Sequence, residues 1–179
     1  DPYALRRAAL GITAILVERG LSLDLRAAVD DAAGGIPIAV TDAVRNDVLD
    51  FLRRRLAFLL REAGHAAAAV AAVLAVQGHD PAAAARDVRH LEAHVARPDW
   101  NATLTAYARC ARIVRGRDDV VDAVDGARLA ALAPAINAFF DAVLVMADDP
   151  AVRANRLALA GRVAAIPARF ADLSELEGF

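Results

Sequence analysis

The chain has 179 residues, of which 58% are hydrophobic and only 5% are aromatic. Much of the apolar fraction is alanine, a strong helix former, whereas a strand-rich protein would carry more β-branched and aromatic side chains. The formal net charge of −2 argues against a generally basic nucleic-acid binder, so any contact with RNA must come from a local patch.

The cysteine count and the hydropathy limit the class further. Cys110 is the only cysteine, so an internal disulfide bond and zinc sites with three or four cysteines are excluded. No apolar run reaches the ~18 residues that a membrane span needs, and no signal peptide is visible. We therefore expect a cytoplasmic protein with no membrane partner. Because the first residue is Asp1 rather than Met, we expect a fragment of something longer.

Helix start signals recur along the chain. Asp-Pro pairs stand at Asp1-Pro2, Asp80-Pro81 and Asp149-Pro150, where Asp suits the N-cap and proline suits the first helical position. Thr41-Asp42 offers a fourth start, and Pro98-Asp99 marks a break near a fifth. These signals predict helices of ordinary length with short connections.

Apolar periodicity predicts the same helices in chain order. The first half of the chain carries two stripes, consisting of Leu5, Ala8, Ile12, Ile15 and Leu16, and then of Val44, Val48, Phe51, Leu52, Leu56 and Leu59. The second stripe belongs to a longer helix that ends near Gly64. Weaker helical segments are predicted at about 65–76, 82–96 and 102–114.

The cleanest stripe lies near the C-terminus and consists of Ile136, Phe139, Phe140, Val143 and Leu144. We expect its last four members to be core residues. A further helix is predicted from 152 to 166, with loops at 34–37 and 116–126 and an irregular tail after Pro167. The connections are too short for linkers, so the prediction is an all-α fold in which residues 1–179 form a single helical bundle of about seven or eight helices.

Candidate catalytic motifs are weak. His90 and His94 share a helix face, but a zincin motif requires Glu directly after the first His, whereas Glu92 follows two residues later. Cys110 has arginines nearby in sequence, which could activate a thiol, but its helical pattern favours a packed side chain. No phosphate loop or nucleophile elbow is visible. The residues therefore indicate no enzyme site.

Two arginine groups remain. Arg109, Arg112 and Arg115 recur every third residue along one side of a predicted helix, with Arg117 just beyond. The other group consists of Arg53, Arg54 and Arg55, with Arg61 following. Such a stripe suits phosphate contact, because the planar guanidinium matches phosphate oxygens. A solvated surface paired with neighbouring acids is the interpretation that the sequence alone favours.

Three stretches resemble the C-terminal domain of bacterial glycyl-tRNA synthetase β subunits. Residues 1–12, DPYALRRAALGI, resemble its start. FFD at 139–141, VLVMADD at 143–149 and RANRL at 153–157 are similar to the family patterns FFD..MVM..D and R.NRL. ADLS at 171–174 resembles the ADLS close to the family's natural C-terminus. The resemblance covers the whole chain in order. It departs at a KR..NI pattern, where Ala108 and Arg112 replace the lysine and the asparagine.

The resemblance implies that residues 1–179 are a DALR-type anticodon-binding domain near the end of a β subunit. It implies glycine tRNA as partner and a separate α subunit, joined through the rest of the β subunit. ATP and Mg²⁺ are then expected in the α subunit, with no cofactor, metal or catalytic residue in this domain. The expected tRNA-binding residues are Arg109, Arg112, Arg115, Arg153, Asn155 and either Arg6 or Arg7, with Arg7 preferred.

Two rival functions stay open at this point. The first is an all-helical protein-interaction domain with no RNA partner, which the net charge of −2 favours slightly. The second is a small helical enzyme, which the missing motifs disfavour.

Overall fold

The computed structural model describes residues 2–115 and 129–179, so the predicted loop at 116–126 and Arg117 lie outside the described residues. Within those ranges the chain forms eight α-helices and no strand, which confirms the all-α prediction. The helices are α1 (Pro2–Arg19), α2 (Leu25–Gly34), α3 (Asp42–Glu62), α4 (Ala67–Gln77), α5 (Pro81–Val95), α6 (Trp100–Val114), α7 (Leu129–Ala142) and α8 (Pro150–Ala164). Short 3₁₀ turns follow at Ile166–Arg169 and Leu173–Glu175.

The backbone divides into two compact units, Asp1–Glu92 and Ala93–Phe179, which we call the N-terminal unit and the C-terminal unit. In the N-terminal unit α3 is the central element, since α1, α2 and α4 all pack against it. In the C-terminal unit α6 has this position and packs against both α7 and α8. Whether 1–179 acts as one domain stays a prediction.

The core of the N-terminal unit is built around α4, which is apolar on every side. Val70 and Val73 are fully buried there, together with Leu56 from α3 and Val88 from α5. A helix without a polar face must be surrounded by other elements to be stable in water. The position of α4 therefore follows from its composition.

The core of the C-terminal unit joins α6, α7 and α8. Ala106 and Cys110 of α6 pack in one buried cluster with Ile136 of α7 and Ala160 of α8. Small side chains on α6 and α8 allow the two helices to approach closely, which matches their extensive packing.

The predicted start signals act as caps at three helices. The Thr41 hydroxyl accepts from Val44 N, and Asp149 accepts from the N–H groups of Ala151 and Val152. Asp80 Oδ1 accepts from Ala83 N at 3.0 Å. Each bond satisfies a backbone donor that has no partner inside its own helix.

Two connections of the N-terminal unit are joined to each other by hydrogen bonds. Ser22 Oγ donates to Asp80 Oδ2 at 2.6 Å, and Leu25 N donates to the His79 carbonyl at 2.8 Å. The stretch before α2 and the stretch before α5 thus meet across more than fifty residues of sequence.

Two features differ from the sequence predictions. Helix α2 was not predicted. It begins at the N-cap Asp24, whose side chain accepts from Arg26 N, and its Leu25 is buried. The expectation that Leu144 is core is wrong: it is 74% exposed, and Val145 is buried instead. Helix α7 ends at Ala142, so the helical periodicity that predicted this residue no longer applies there.

Phe139, Phe140 and Val143 are half-buried rather than fully buried. Phe140 packs on the edge of the C-terminal core, and its ring meets that of Phe139 edge-on at 5.4 Å between centroids. The core expectation therefore holds only in part for these three residues.

Within the described residues, none of the helices combines the length and the apolarity that crossing a bilayer requires.

Candidate nucleic-acid interface

Helix α6 has one buried side and one basic side. Leu104, Tyr107 and Cys110 face the core of the C-terminal unit. Arg112 is exposed on the last turn of the helix, and Arg115 is exposed just beyond the last helical residue, Val114, so the prediction that all three arginines share the helix is wrong for Arg115. The Arg109 side chain is only 35% exposed. The three arginines therefore differ in their surroundings although their spacing is regular.

Arg109 is held by α7 through three interactions. Its Nη1 donates to Asn137 Oδ1 at 3.1 Å, and its Nη2 lies 3.4 Å from Asp141 Oδ1. Its guanidinium carbon lies 4.5 Å from the centroid of the Phe140 ring. A guanidinium whose face stacks on an aromatic ring and whose N–H groups are hydrogen-bonded has a fixed orientation, because both kinds of contact restrict its rotation. Arg109 thus links α6 to α7 as well as contributing positive charge.

Arg112 lies beside an aromatic pair. Its guanidinium carbon is 5.3 Å from the centroid of the Phe179 ring, and the Phe179 ring lies 6.0 Å from that of Tyr107. The Tyr107 hydroxyl reaches the Ala164 carbonyl at 3.5 Å, and burial raises the pKa of Tyr107 to about 12. The last residue of the chain therefore shares the basic side of α6 with an exposed arginine.

Arg153 and Asn155 lie on α8. Arg153 Nη1 donates to the Ala147 carbonyl at 3.1 Å, and Arg156 Nη1 donates to the Leu144 carbonyl at 2.7 Å. These two bonds fasten the connection between α7 and α8 to the first half of α8. Asn155 is exposed. Arg153 accordingly has a structural contact, whereas Asn155 offers its amide to solvent.

Arg7 belongs to the N-terminal unit, on α1, and is exposed. The neighbouring Arg6 lies over the Tyr3 ring, with its guanidinium carbon 5.7 Å from the ring centroid. In the second arginine group, Arg53 forms an ion pair with Asp50 and Arg55 lies over the Phe51 ring. The five arginines and Asn155 of the predicted site are thus divided between the two units, and their contact with RNA stays a prediction.

Two of the side chains that were considered as catalytic candidates are engaged in the fold: one is buried in the core and the other is hydrogen-bonded to the residues before α4. Cys110 is buried, and burial raises the pKa of its thiol to about 11, which favours the packed-thiol interpretation. Glu92 does not approach a metal site with His90; it bonds to His65 and to Ala66 N, each at 2.7 Å. Across residues 2–115 and 129–179, no three His, Cys, Asp or Glu side chains cluster as metal ligands would.

The ring beside Arg112 could not be found from the sequence. Phe179 follows Arg112 by 67 positions and carries no local signal for its place, whereas Tyr107, which its ring meets, is recognisable as a member of the buried face of α6. A contact of that separation is set by tertiary packing of the C-terminal tail and not by periodicity.

The described elements define an all-helical protein whose C-terminal unit presents an arginine-lined helix beside aromatic rings. The family model for the glycyl-tRNA synthetase beta subunit matches residues 1–75. Over 99% of its length the chain is 37% identical to the glycine–tRNA ligase beta subunit of Anaeromyxobacter sp. (strain K), covering 31% of that protein.

Two other relatives give the same result. The glycine–tRNA ligase beta subunit of Aromatoleum aromaticum is 34% identical over 98% of this chain and 31% of that protein, and that of Sodalis glossinidius is 33% identical over 99% and 31%. The chain belongs to the glycyl-tRNA synthetase β subunit family. It spans 31% of the length of these relatives.

Proposed function

We propose that this chain is the tRNA-binding part of a glycine–tRNA ligase β subunit and that residues 1–179 form a DALR-type anticodon-binding domain. The observation that supports this most is the pair of exposed arginines at the C-terminal end of α6, Arg112 in its last turn and Arg115 directly after it, in a chain from this family. The relatives are named as ligases that join glycine to tRNA, so an RNA is the partner that this basic surface suits.

The chemistry of the surface suits a single-stranded RNA loop. Such loops are bound by stacking of splayed bases on planar groups and by hydrogen bonds to their edges. Arg112 together with Phe179 offers planar groups at the surface. Arg115 offers a charged fork for phosphate oxygens.

Base reading requires further groups. Glycine anticodons carry cytosine at the second and third positions, and cytosine presents one amine donor together with the O2 and N3 acceptors. A carboxylate such as Asp141 and an amide such as Asn155 complement these groups, and both side chains are exposed. Arg109, already oriented by α7, supplies charge near Asp141 and holds it in place.

In this proposal the chain performs no chemistry. ATP and Mg²⁺ bind in a separate α subunit, and this chain meets that subunit through the rest of the β subunit in the cytoplasm. Arg153 and Arg7 contribute weaker contacts, because Arg153 also fastens the connection before α8. The rival function, protein interaction without RNA, is favoured by the internal pairing of Arg109 with Asp141, which uses part of the basic charge inside the fold.

The test is binding of glycine tRNA by the intact synthetase that carries this chain, measured across a salt series. Arg112→Gln and Arg115→Gln should each weaken binding. Each should also lower the slope of log K against log salt by about 0.7–0.9 for every phosphate that the protein no longer neutralises. Exchange of the anticodon cytosines should weaken binding of the unchanged protein, because base-edge contacts carry specificity.

Arg54→Gln is the matched control, since Arg54 is an exposed arginine on α3 of the N-terminal unit and loses the same charge. If Arg54→Gln reduces the slope and the α6 variants do not, the RNA surface lies on the N-terminal unit. If none of the variants changes affinity or slope, neither of these surfaces contacts the tRNA and the proposed role of Arg112 and Arg115 is wrong.

A further inference from the structure

The N-terminal unit has an apolar groove between α1, α2 and α3. Its volume is about 700 Å³, and among the described residues that line it Asp47 is the one that is not apolar. The principal lining side chains are Leu5, Ile12, Val29, Val44, Val48 and Phe51. None of the arginines of α6 lines this groove, so it is separate from the proposed RNA surface, and the inference below rests on the proposal that this chain is part of a longer β subunit.

Large side chains in and beside the groove are exposed to an unusual degree. Leu5 is 68% exposed, Ile12 46%, Val44 49% and Val48 41%. They are members of the two apolar stripes that the sequence places at helical spacing, and stripes of this kind normally face a core. Single exposed apolar residues are common, but a continuous set lining one groove indicates a surface that binds another apolar element.

The shape and chemistry of the groove indicate the kind of ligand. Small-molecule sites combine apolar walls with several convergent polar groups that fix orientation. Here the lining offers the carboxylate of Asp47 and otherwise hydrocarbon. A groove between helices with apolar walls suits the apolar face of an amphipathic helix, which is anchored at positions i, i+3, i+4 and i+7.

We infer that this groove is occupied by a helical segment from the remainder of the β subunit. The family model for the β subunit matches residues 1–75, and this range contains every lining residue of the groove. The relatives carry more than twice as much sequence outside the matched part as within it, since this chain spans 31% of their length. That sequence is the source of the partner helix.

The test compares side-chain reactivity in two proteins by hydroxyl-radical footprinting. One is the 179-residue chain, and the other is the Anaeromyxobacter β subunit with its matched third replaced by this chain. Oxidation of Ile12 and Val48 should be about fivefold slower or more in the fused protein, because side chains that are 41–46% exposed would become buried. Leu144, exposed on the C-terminal unit, serves as the internal reference within each protein.

Variants separate coverage of the groove from general stabilisation. Ile12→Asp and Val48→Asp should restore fast oxidation of the remaining groove residues in the fused protein, whereas Met146→Asp, at a position 50% exposed on the C-terminal unit, should not. Equal amide exchange of α4, which forms the core of the N-terminal unit, verifies that each protein is folded. The same pair of variants should weaken binding when the remainder of the β subunit is supplied as a separate polypeptide, which does not require the fusion to fold.

Three results would overturn the inference. Equal oxidation in the two proteins, together with unchanged binding of the separate polypeptide, would mean that the remainder of the β subunit leaves the groove open. Slow oxidation already in the 179-residue chain at low concentration would mean that the chain covers its own groove. Protection that increases with concentration of the 179-residue chain would identify a second copy as the occupant.

Discussion

Removal of the Glu92 carboxylate should loosen the start of α4. Helix α4 has Ala66 at its N-cap, which has no side chain able to accept a hydrogen bond from the first turn. Glu92 Oε1, from α5, accepts from Ala66 N at 2.7 Å, and Glu92 Oε2 lies 2.7 Å from His65 Nδ1. One carboxylate from another helix thus binds the backbone N–H of the N-cap residue, which is the contact that the glutamate of a capping box makes within its own helix.

The magnitude follows from these two interactions. Loss of a helix-capping acceptor costs about 1 kcal/mol, and a hydrogen bond to a charged group contributes about 1.5–3 kcal/mol when protected from solvent. The side chains of His65 and Glu92 are 17% and 30% exposed, so the second contribution is reduced. We expect Glu92→Ala to lower the free energy of opening of α4 by about 2 kcal/mol, which accelerates amide exchange by a factor of about 30.

The effect should depend on pH. Burial raises the pKa of Glu92, but the hydrogen bonds from Ala66 N and His65 outweigh it and hold this pKa below its ordinary value. A lowered carboxyl pKa means that the stabilisation is complete above the ordinary glutamate pKa and is lost as the pH falls through the lowered one. The exchange rates of wild type and Glu92→Ala should therefore converge in acid.

The assay is native-state hydrogen exchange of the α4 amides at several pH values. Glu92→Gln should lie between wild type and Glu92→Ala, because its amide oxygen still accepts from Ala66 N without the charge. Glu62→Ala, which removes an exposed carboxylate at the end of α3, should change α4 exchange by less than about 0.5 kcal/mol. Equal α4 exchange in wild type and Glu92→Ala at neutral pH would refute the reasoning.

Two further predictions concern α6. Arg109→Ala should destabilise the C-terminal unit by about 1–2 kcal/mol in urea unfolding, because the variant loses the interactions with Phe140, Asn137 and Asp141. Arg109→Lys should recover only part of this stability, since lysine lacks the planar guanidinium. Cys110 should react with a disulfide reagent at pH 8 only as fast as the unit opens, because burial raises the pKa of its thiol to about 11; fast reaction of the folded protein would contradict this.

Much of the helical architecture is predictable from the sequence because its signals are local. Asp149 and Thr41 cap the helices that they were expected to begin, and α3 ends next to Gly64, which has a φ of +94°. Helix α2 escaped prediction because it has ten residues and a short apolar pattern, and it is stabilised by packing against α3. The prediction that Leu144 is a core residue was wrong because apolar periodicity continues past the end of α7 at Ala142 and does not show where a helix ends.

The candidate site was less predictable. The spacing of Arg109 and Arg112 gives their common helix but not their partners, and it does not show that the helix ends at Val114, before Arg115. The partners of Arg109 are 28 to 32 residues away on α7, and the ring beside Arg112 belongs to the last residue of the chain. Similarly, the stripe that contains Ile12 was visible in the sequence, but the groove that it lines depends on how three helices pack.

The hydrogen bonds from Ser22 to Asp80 and from Leu25 to His79 restrict where residues can be inserted in members of this family. The stretch matched to the Anaeromyxobacter relative is 217 positions long, against 179 residues here, so the relative carries inserted residues. An insertion beside Ser22 or Asp80 would disturb both bonded pairs, and an insertion between Asp80 and Pro81 would also separate α5 from the carboxylate that caps it. Residues 35–41, which are exposed apart from the half-buried Val40, carry no such tie to α5. We therefore expect inserted residues in the 35–41 stretch, where the loop can lengthen at little entropic cost, and not in the two connections that are hydrogen-bonded to each other.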